Sequence, residues 1–203
     1  MITFATQLRL SMGVLLLATS SVGGAADLAR AEELVSGRCG VCHGAEGEAR
    51  SKFFPRLAGQ HAEYVAKQLA DFKSGKRMSE AMQPQASELS PEEMKALGQF
   101  FQAKPAAAAS PRDADLVAMG RYIFQRGNSF SGVPDCASCH GPKAHGTPQL
   151  PRLAGQHPGY IEEQLKHFNT RERNNDNNVM HTVAAKLSPL EMHAVGQYVA
   201  TLD

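Results

Sequence analysis

Large aromatic side chains are scarce in this chain. Its 203 residues include no tryptophan, and aromatic residues make up only 6% of the sequence. The remaining composition, 42% hydrophobic and 20% charged, is that of a folded protein. The length allows one or two domains, and two halves would each have few bulky side chains to fill the interior. We therefore expect another group to occupy the middle of each half.

An excess of charge of either sign is also missing. The chain has 21 Lys and Arg residues against 20 Asp and Glu residues. This balance argues against a basic surface for nucleic acid, so no nucleic-acid partner is predicted. Electrostatic docking would have to use local patches.

The only long apolar run lies at the start of the sequence. Arg9, the apolar run from Leu10 to Ala18 and small residues up to Ala26 are typical of a secretory signal. A retained membrane anchor is the alternative, but the run is shorter than the roughly 20 apolar residues that a span needs. Residues 1–26 are predicted to be a cleaved signal peptide.

The rest of the sequence contains an internal repeat. Residues 55–61 recur letter for letter as residues 151–157, and a Cys-x-x-Cys-His motif precedes each copy. We predict two copies of one domain, an N-terminal one over residues 27–104 and a C-terminal one over residues 112–203. Residues 105–111, rich in Pro and Ala, are predicted to link them.

Helix signals dominate both halves. Ser90-Pro91 and Ser188-Pro189, each followed by a capping-box glutamate, predict helix starts. Further helices are predicted over about 62–72 and 159–168, with leading helices near 29–35 and 115–124. Because no stretch alternates as a strand would, the fold class predicted is all-α.

All four cysteines lie in the two Cys-x-x-Cys-His motifs, namely Cys39, Cys42 and His43, and Cys136, Cys139 and His140. This spacing is typical of covalent haem c attachment, with the thiols bonded to the porphyrin vinyl groups and the histidine bound to iron. A shared zinc site would need pairs much closer than the 94 residues between Cys42 and Cys136. A thioredoxin-like pair would need strands, and simple disulfides would leave both histidines unexplained.

A second axial ligand is predicted at Met82 and Met180. Each lies seven residues before a Leu-Ser-Pro sequence, in a stretch rich in Pro, Asn and Ser where a loop can present sulfur to iron. Met78 is a local rival to Met82. Ligation by two histidines is the alternative, and its candidate donors are His61, His145, His157 and His181.

Residues of the exact repeat have two possible roles each. The carbonyl of Pro55 or Pro151 can orient the imidazole of the preceding motif, although either can be an ordinary turn proline. Arg56 and Arg152 can pair with haem propionates or lie solvated on the surface. His61 and His157, at helix starts, are predicted to pack rather than to bind iron.

With these motifs the chain resembles the cytochrome c4 family over residues 27–203. The resemblance implies two class I cytochrome c domains related by a pseudo-twofold axis, with haems facing each other near the interface. It also implies a periplasmic location, proximal ligands at His43 and His140, and distal sulfurs at Met82 and Met180. The chain departs from the family at Gly127–Asp135 and Arg171–Asn178, which could reshape the haem edge or partner surface of the second domain.

The function predicted is a dihaem electron carrier between a quinol-oxidising complex and a terminal oxidase, associated with membranes only through partners. A cytochrome subunit of a flavoprotein or alcohol dehydrogenase is the alternative. Catalysis is not predicted, because a peroxidase needs an exchangeable iron ligand and a thiosulfate-oxidising haem enzyme needs a fifth cysteine.

Overall fold

Helices are the regular secondary structure of this protein. The computed structural model describes residues 23–49, 51–109 and 113–203. Within these ranges backbone pairing is limited to one antiparallel bridge between Asn128 and Val133, which confirms the all-α prediction. None of the helices described is long and apolar enough to cross a membrane.

The first half contains three longer helices and two short ones. They are α1 (Gly23–Leu34), α2 (Gly40–His43), α3 (Ala62–Lys73), α4 (Met82–Ser87) and α5 (Pro91–Gln102). A π-helical turn, Val35–Cys39, joins α1 to α2.

The second half repeats this order. Its helices are α6 (Ala114–Arg126), α7 (Ala137–His140), α8 (Pro158–Thr170), α9 (Val179–Ala184) and α10 (Pro189–Ala200). Residues 1–22 of the predicted signal peptide, residues 110 and 111 of the predicted linker, and residue 112 at the start of the predicted C-terminal domain lie outside the described residues. The domain boundaries drawn from the sequence stay a prediction.

The closing helix of each half begins where the capping pattern predicts. The Ser90 hydroxyl accepts from the backbone N–H of Glu93, whose carboxylate accepts in return from the Ser90 N–H. Ser188 and Glu191 form the same reciprocal pair at the start of α10. Each capping box satisfies two backbone donors that a helix start otherwise leaves free.

The closing helix is also the centre of each core. Helix α5 packs against α1 and α3, and α10 packs against α6 and α8. Leu97 and Phe101 are buried in the first core, and Phe124 and Val199 in the second. Each such side chain stabilises the fold by about 1.5–3 kcal/mol relative to exposure.

Glycines permit the tightest of these helix crossings. A Cβ atom at Gly196 of α10 would lie 2.6 Å from the carbonyl oxygen of Pro158 at the start of α8. Gly98 makes the equivalent approach to Ala62 in the first half, and Gly120 lets α6 approach Ala194 of α10. The repeated Gly-Gln sequence therefore marks backbone contact between helices.

The exact sequence repeat forms a reciprocal interface between the halves. The Gln60 side chain accepts from the N–H of Arg152 (2.9 Å) and donates to its carbonyl (2.9 Å). The Gln156 side chain makes the same pair of bonds with Arg56, at 2.8 and 2.9 Å. Such interchange is the signature of an isologous contact, in agreement with pseudo-twofold symmetry.

Two buried arginines form a second, polar part of this interface. Arg77 donates to Tyr160 Oη (3.0 Å) and Gln164 Oε1 (2.8 Å) of the other half. Arg173 donates to Tyr64 Oη (2.8 Å) and Gln68 Oε1 (3.2 Å) in the opposite direction. The polar stretch Arg171–Asn178 therefore contributes Arg173 to the contact between the halves.

Asn175 extends this network from the same stretch. Its side chain donates to Asp71 Oδ2 (2.6 Å) and Gln68 Oε1 (3.0 Å), and Lys67 Nζ donates to its carbonyl (2.6 Å). Because Arg173 and Asn175 are both buried, these two side chains belong to the domain interface instead of a partner surface.

Candidate haem sites

Each Cys-x-x-Cys-His motif forms one short turn of helix. His43 and His140 close these turns and are buried, whereas Cys42 and Cys139 are exposed. Cys39 and Cys136 are partly buried and pack against the two hydrophobic cores. Since residues three and four apart lie on one face of a helix, both thiols and the imidazole of a motif can address the same group.

Each motif histidine is oriented by a proline carbonyl. His43 Nδ1 donates to the carbonyl oxygen of Pro55 at 3.0 Å, and His140 Nδ1 donates to that of Pro151 at 3.3 Å. A carbonyl can only accept, so the proton lies on Nδ1 and the Nε2 lone pair is left for a metal. Burial lowers the pKa of both histidines, although the proline hydrogen bonds oppose this effect. Neutral imidazole is the form that binds iron.

Burial raises the pKa of the first cysteine of each motif. All four cysteines are unpaired. Burial, with a smaller contribution from Asp135, raises the pKa of Cys136 to about 12, and burial also raises the pKa of Cys39. A thiol with a raised pKa is less reactive in disulfide exchange, which requires the thiolate. Among the described residues, moreover, no cluster of three or more His, Cys, Asp or Glu side chains suits a metal ion.

Met82 and Met180 occupy equivalent places, but each begins a short helix instead of lying in an open loop. Met82 is the first residue of α4 and Met180 the second residue of α9. Their backbone N–H groups donate to Ser79 Oγ (3.2 Å) and Asp176 Oδ2 (2.6 Å). Both side chains are partly buried, whereas that of the rival Met78 is 65% exposed.

The other candidate histidines are engaged by backbone carbonyls. His61 Nε2 donates to the carbonyl of His145 (2.8 Å), and His157 Nε2 donates to that of Ala49 (2.8 Å), so both cross the interface. His145 Nε2 donates to Asp203 (2.7 Å), and His181 Nδ1 donates to Phe168 (3.0 Å). His61 and His157 thus pack at helix starts, as expected.

Arg56 and Arg152 line a cavity of about 100 Å³ between the halves. Arg56 donates to the carbonyls of Ala107 (3.1 Å) and Gly155 (2.5 Å), whereas Arg152 Nε is buried without a partner. Neither is a freely solvated surface arginine.

Sequence reasoning missed Arg77 and Arg173. Each guanidinium lies over a phenylalanine ring five residues earlier in the chain, Phe72 or Phe168, at 4.6 Å from the ring centroid. The repeated Phe-x-x-x-x-Arg spacing was the available signal. No periodicity rule, however, indicates that a polar side chain will be buried against another domain.

Comparison with protein families gives one match in each half. A family described as cytochrome c oxidase, cbb3-type, subunit III matches residues 26–101, and one described as cytochrome c matches residues 117–203. Together with the two motif turns, these matches define a dihaem c-type cytochrome with two covalently bound haem c groups. The donor set fits this cofactor, because each half offers two thiols and an imidazole with its Nε2 free.

Relatives that match most of the chain identify the family within this class of cytochromes. The chain is 39% identical to cytochrome c4 of Thiocapsa roseopersicina, covering 85% of this chain and 91% of that protein. It is 35% identical to cytochrome c4 of Pseudomonas aeruginosa, covering 93% and 96% respectively. The chain therefore belongs to the cytochrome c4 family, and it is an electron carrier.

Solved structures agree with this assignment. Reduced cytochrome c4 from Pseudomonas stutzeri matches with a TM-score of 0.81 and 31% identity, over 87% of this chain and 98% of that one. A thiosulfate dehydrogenase (TsdBA) from Marichromatium purpuratum matches with a TM-score of 0.78 and 32% identity. In that case the match covers 87% of this chain but only 40% of the other. The resemblance is therefore to a part of that enzyme.

Proposed function

We propose that Cys39 and Cys42 hold one haem and Cys136 and Cys139 the other, with His43 and His140 as the proximal ligands. The observation that supports this assignment most strongly is that the two motif turns are equivalent, and that a proline carbonyl fixes the imidazole of each. Met82 and Met180 are proposed as distal ligands. The exposure of Met78 and the carbonyl contacts of the other histidines support this choice.

The bound iron supplies a one-electron redox couple. The residues of the chain would hold the iron ligands in place when the haem is bound. The Pro55 and Pro151 carbonyls hold the imidazole rings in place. Hydrogen bonds from the methionine N–H groups to Ser79 and Asp176 fix the backbone at the start of α4 and α9. A rigid ligand set keeps the reorganisation that accompanies electron transfer small, and thioether ligation raises the reduction potential relative to ligation by two histidines.

The route proposed is electron transfer from a quinol-oxidising complex to a terminal oxidase, in the periplasm after removal of residues 1–26. Association with the membrane would occur only through these partners. The chain would have no substrate turnover of its own. The matched methionine in each half supports a carrier role.

A second route has a specific observation in its favour. The chain is 40% identical over 169 residues to a protein named thiosulfate dehydrogenase electron acceptor from Stutzerimonas stutzeri. Part of it is also 35% identical, over 69 residues, to the cytochrome subunit of sulfide dehydrogenase from Chlorobaculum tepidum. A dehydrogenase that passes electrons to this chain is therefore the alternative donor.

The test combines mass and potential measurements on protein made in a host that attaches haem c. The measured mass should equal that of a chain beginning near Asp27 plus the mass of two haems. Met82→Ala should lower one of the two reduction potentials and leave the other nearly unchanged, because only one iron loses its sulfur ligand. Met78→Ala is the matched control and should change neither. Free thiols, or equal potentials in Met82→Ala and wild type, would contradict the assignment.

A further inference from the structure

A short hairpin in the second half carries a fully exposed aromatic ring. Residues 128–133, hereafter the Asn128–Val133 hairpin, precede the second haem motif, and Phe130 at its tip is 100% exposed. The equivalent place before Cys39 in the first half is the π-helical turn Val35–Cys39. The hairpin therefore breaks the symmetry of the two halves beside one motif.

The hairpin is ordered without any contact from the Phe130 ring. Asn128 and Val133 exchange two backbone hydrogen bonds of 2.9 and 3.0 Å. The Asn128 side chain accepts from the N–H of Phe130 (3.0 Å) and donates to Glu191 (2.7 Å), and Val133 is buried in the core. The backbone that carries the ring is therefore held in place, so binding would have to order only the ring itself, which favours its use as an interface anchor.

The hairpin lies next to the exposed side of the second motif. Two residues after Val133, the Asp135 carboxylate accepts from the N–H of Ser138 (2.7 Å), between the two cysteines. Ser138 is exposed. A protein seated on Phe130 would therefore approach the outward face of the turn that carries Cys139.

Charge at this place indicates the chemistry of the occupant. The hairpin itself contains no ionisable residue. Charged side chains of both signs lie close to it, since Lys186 Nζ donates to the carbonyl of Gly132 (3.0 Å) and Glu191 accepts from Asn128. Arg126 and Asp135 flank the hairpin in the sequence, so neither sign of charge is in excess. An uncharged surface with one aromatic anchor suits an uncharged, apolar cleft and not a strongly charged face.

We propose that the Asn128–Val133 hairpin is the docking anchor for a redox protein partner, with Phe130 inserted in an apolar cleft of that partner beside its redox centre. The inference rests on the proposed function as an electron carrier. It adds that exchange with this partner uses the second domain. A lipid surface is less favoured, because the hairpin lacks the basic side chains that accompany aromatic residues at anionic membranes.

The test measures oxidation of the reduced dihaem protein by respiratory membranes of the organism that encodes it. Phe130→Ser should raise the KM for the cytochrome about tenfold, which corresponds to ~1.4 kcal/mol of binding, with kcat nearly unchanged. Phe130→Leu should restore most of the affinity. The matched control is Phe53→Ser, which removes a 69% exposed phenylalanine from the first half and should leave KM unchanged.

Two further measurements separate the possible failures. Oxidation by ferricyanide, which needs no docking, should be equal in all variants. Equal KM values for wild type and Phe130→Ser, or an equal rise in Phe53→Ser, would overturn the docking proposal and leave the carrier function intact. If the wild-type protein binds protein-free anionic vesicles and Phe130→Ser does not, the occupant of this surface is a membrane and not a protein partner. A wild-type protein that the membranes do not oxidise would overturn the oxidase route, and the docking proposal with it.

Discussion

Removal of one buried phenol hydroxyl should weaken the contact between the two domains. Tyr160 lies in the second domain, and its Oη accepts from Arg77 of the first domain at 3.0 Å. Tyr160→Phe keeps the ring and deletes this acceptor. The Arg77 side chain is buried, so water cannot readily replace the lost partner.

The expected cost follows from the contacts that Arg77 retains. A hydrogen bond to a charged group contributes about 1.5–3 kcal/mol, and an unsatisfied buried donor costs a similar amount. Arg77 still donates to Gln68 (2.7 Å) and Gln164 (2.8 Å) in the variant. We therefore expect a loss of about 2 kcal/mol, toward the lower part of that range, and a fall in Tm of about 4–8 °C for a chain of this size.

The assay is thermal and denaturant unfolding of the dihaem protein, followed by far-ultraviolet circular dichroism. Tyr122→Phe is the matched control, because Tyr122 is 63% exposed and should change stability by less than about 0.5 kcal/mol. Tyr64→Phe should behave like Tyr160→Phe, since Tyr64 accepts from Arg173 in the equivalent way. A Tyr160→Phe protein as stable as the control would refute the view that this network stabilises the domain pair.

Three further changes test other parts of the fold. Gly196→Ala should lower the free energy of unfolding by about 1–3 kcal/mol, because the added Cβ would meet the Pro158 carbonyl. Gly159→Ala is the control and should be tolerated in the same unfolding assay, because its Cβ would have only a lysine side chain 3.8 Å away. Ser188→Ala should cost about 1 kcal/mol through loss of the α10 cap, and retention of full stability in urea unfolding would contradict this. Burial lowers the pKa of His157 below its unfolded value of about 6.5, so stability should fall as pH drops below about 6.5 toward the folded pKa. His157→Gln should flatten this part of the pH profile, and an unchanged slope would show that another group titrates.

The parts of the fold that follow local rules were predictable from the sequence. The capping boxes at Ser90 and Ser188 and the carbonyl contacts of His43 and His140 depend on short sequence separations and repeated spacing. Cys-x-x-Cys-His defines its own chemistry within five residues. The boundaries of the longer helices came out within a few residues of the prediction, except that α1 begins earlier. The polar stretch before Met180, expected at the haem edge or a partner surface, contributes instead to the contact between the halves.

The parts that sequence reasoning missed depend on contacts between the halves. Arg77 and Arg173 look like solvated charges, because nothing local shows that each will find a phenol and an amide on another domain. The methionine stretches looked like loops because Pro84 and the run of asparagines before Met180 disfavour helix. Hydrogen bonds from the backbone of Met82 to Ser79 and from that of Met180 to Asp176, together with packing against neighbouring helices, nevertheless stabilise a short helix at each place.

The paired glutamines at the domain interface place a constraint on how this chain can change. Gln60 bonds to the backbone of Arg152 while Gln156 bonds to that of Arg56, so the same two positions of the repeat act as partners in both directions. Two separate copies of a single half would meet through the same bonds as a symmetric homodimer. When the two halves are joined in one polypeptide, each half can change in sequence outside the interface while the contact between them is kept. The hairpin that carries Phe130, which replaces the π-helical turn of the first half, is one such difference.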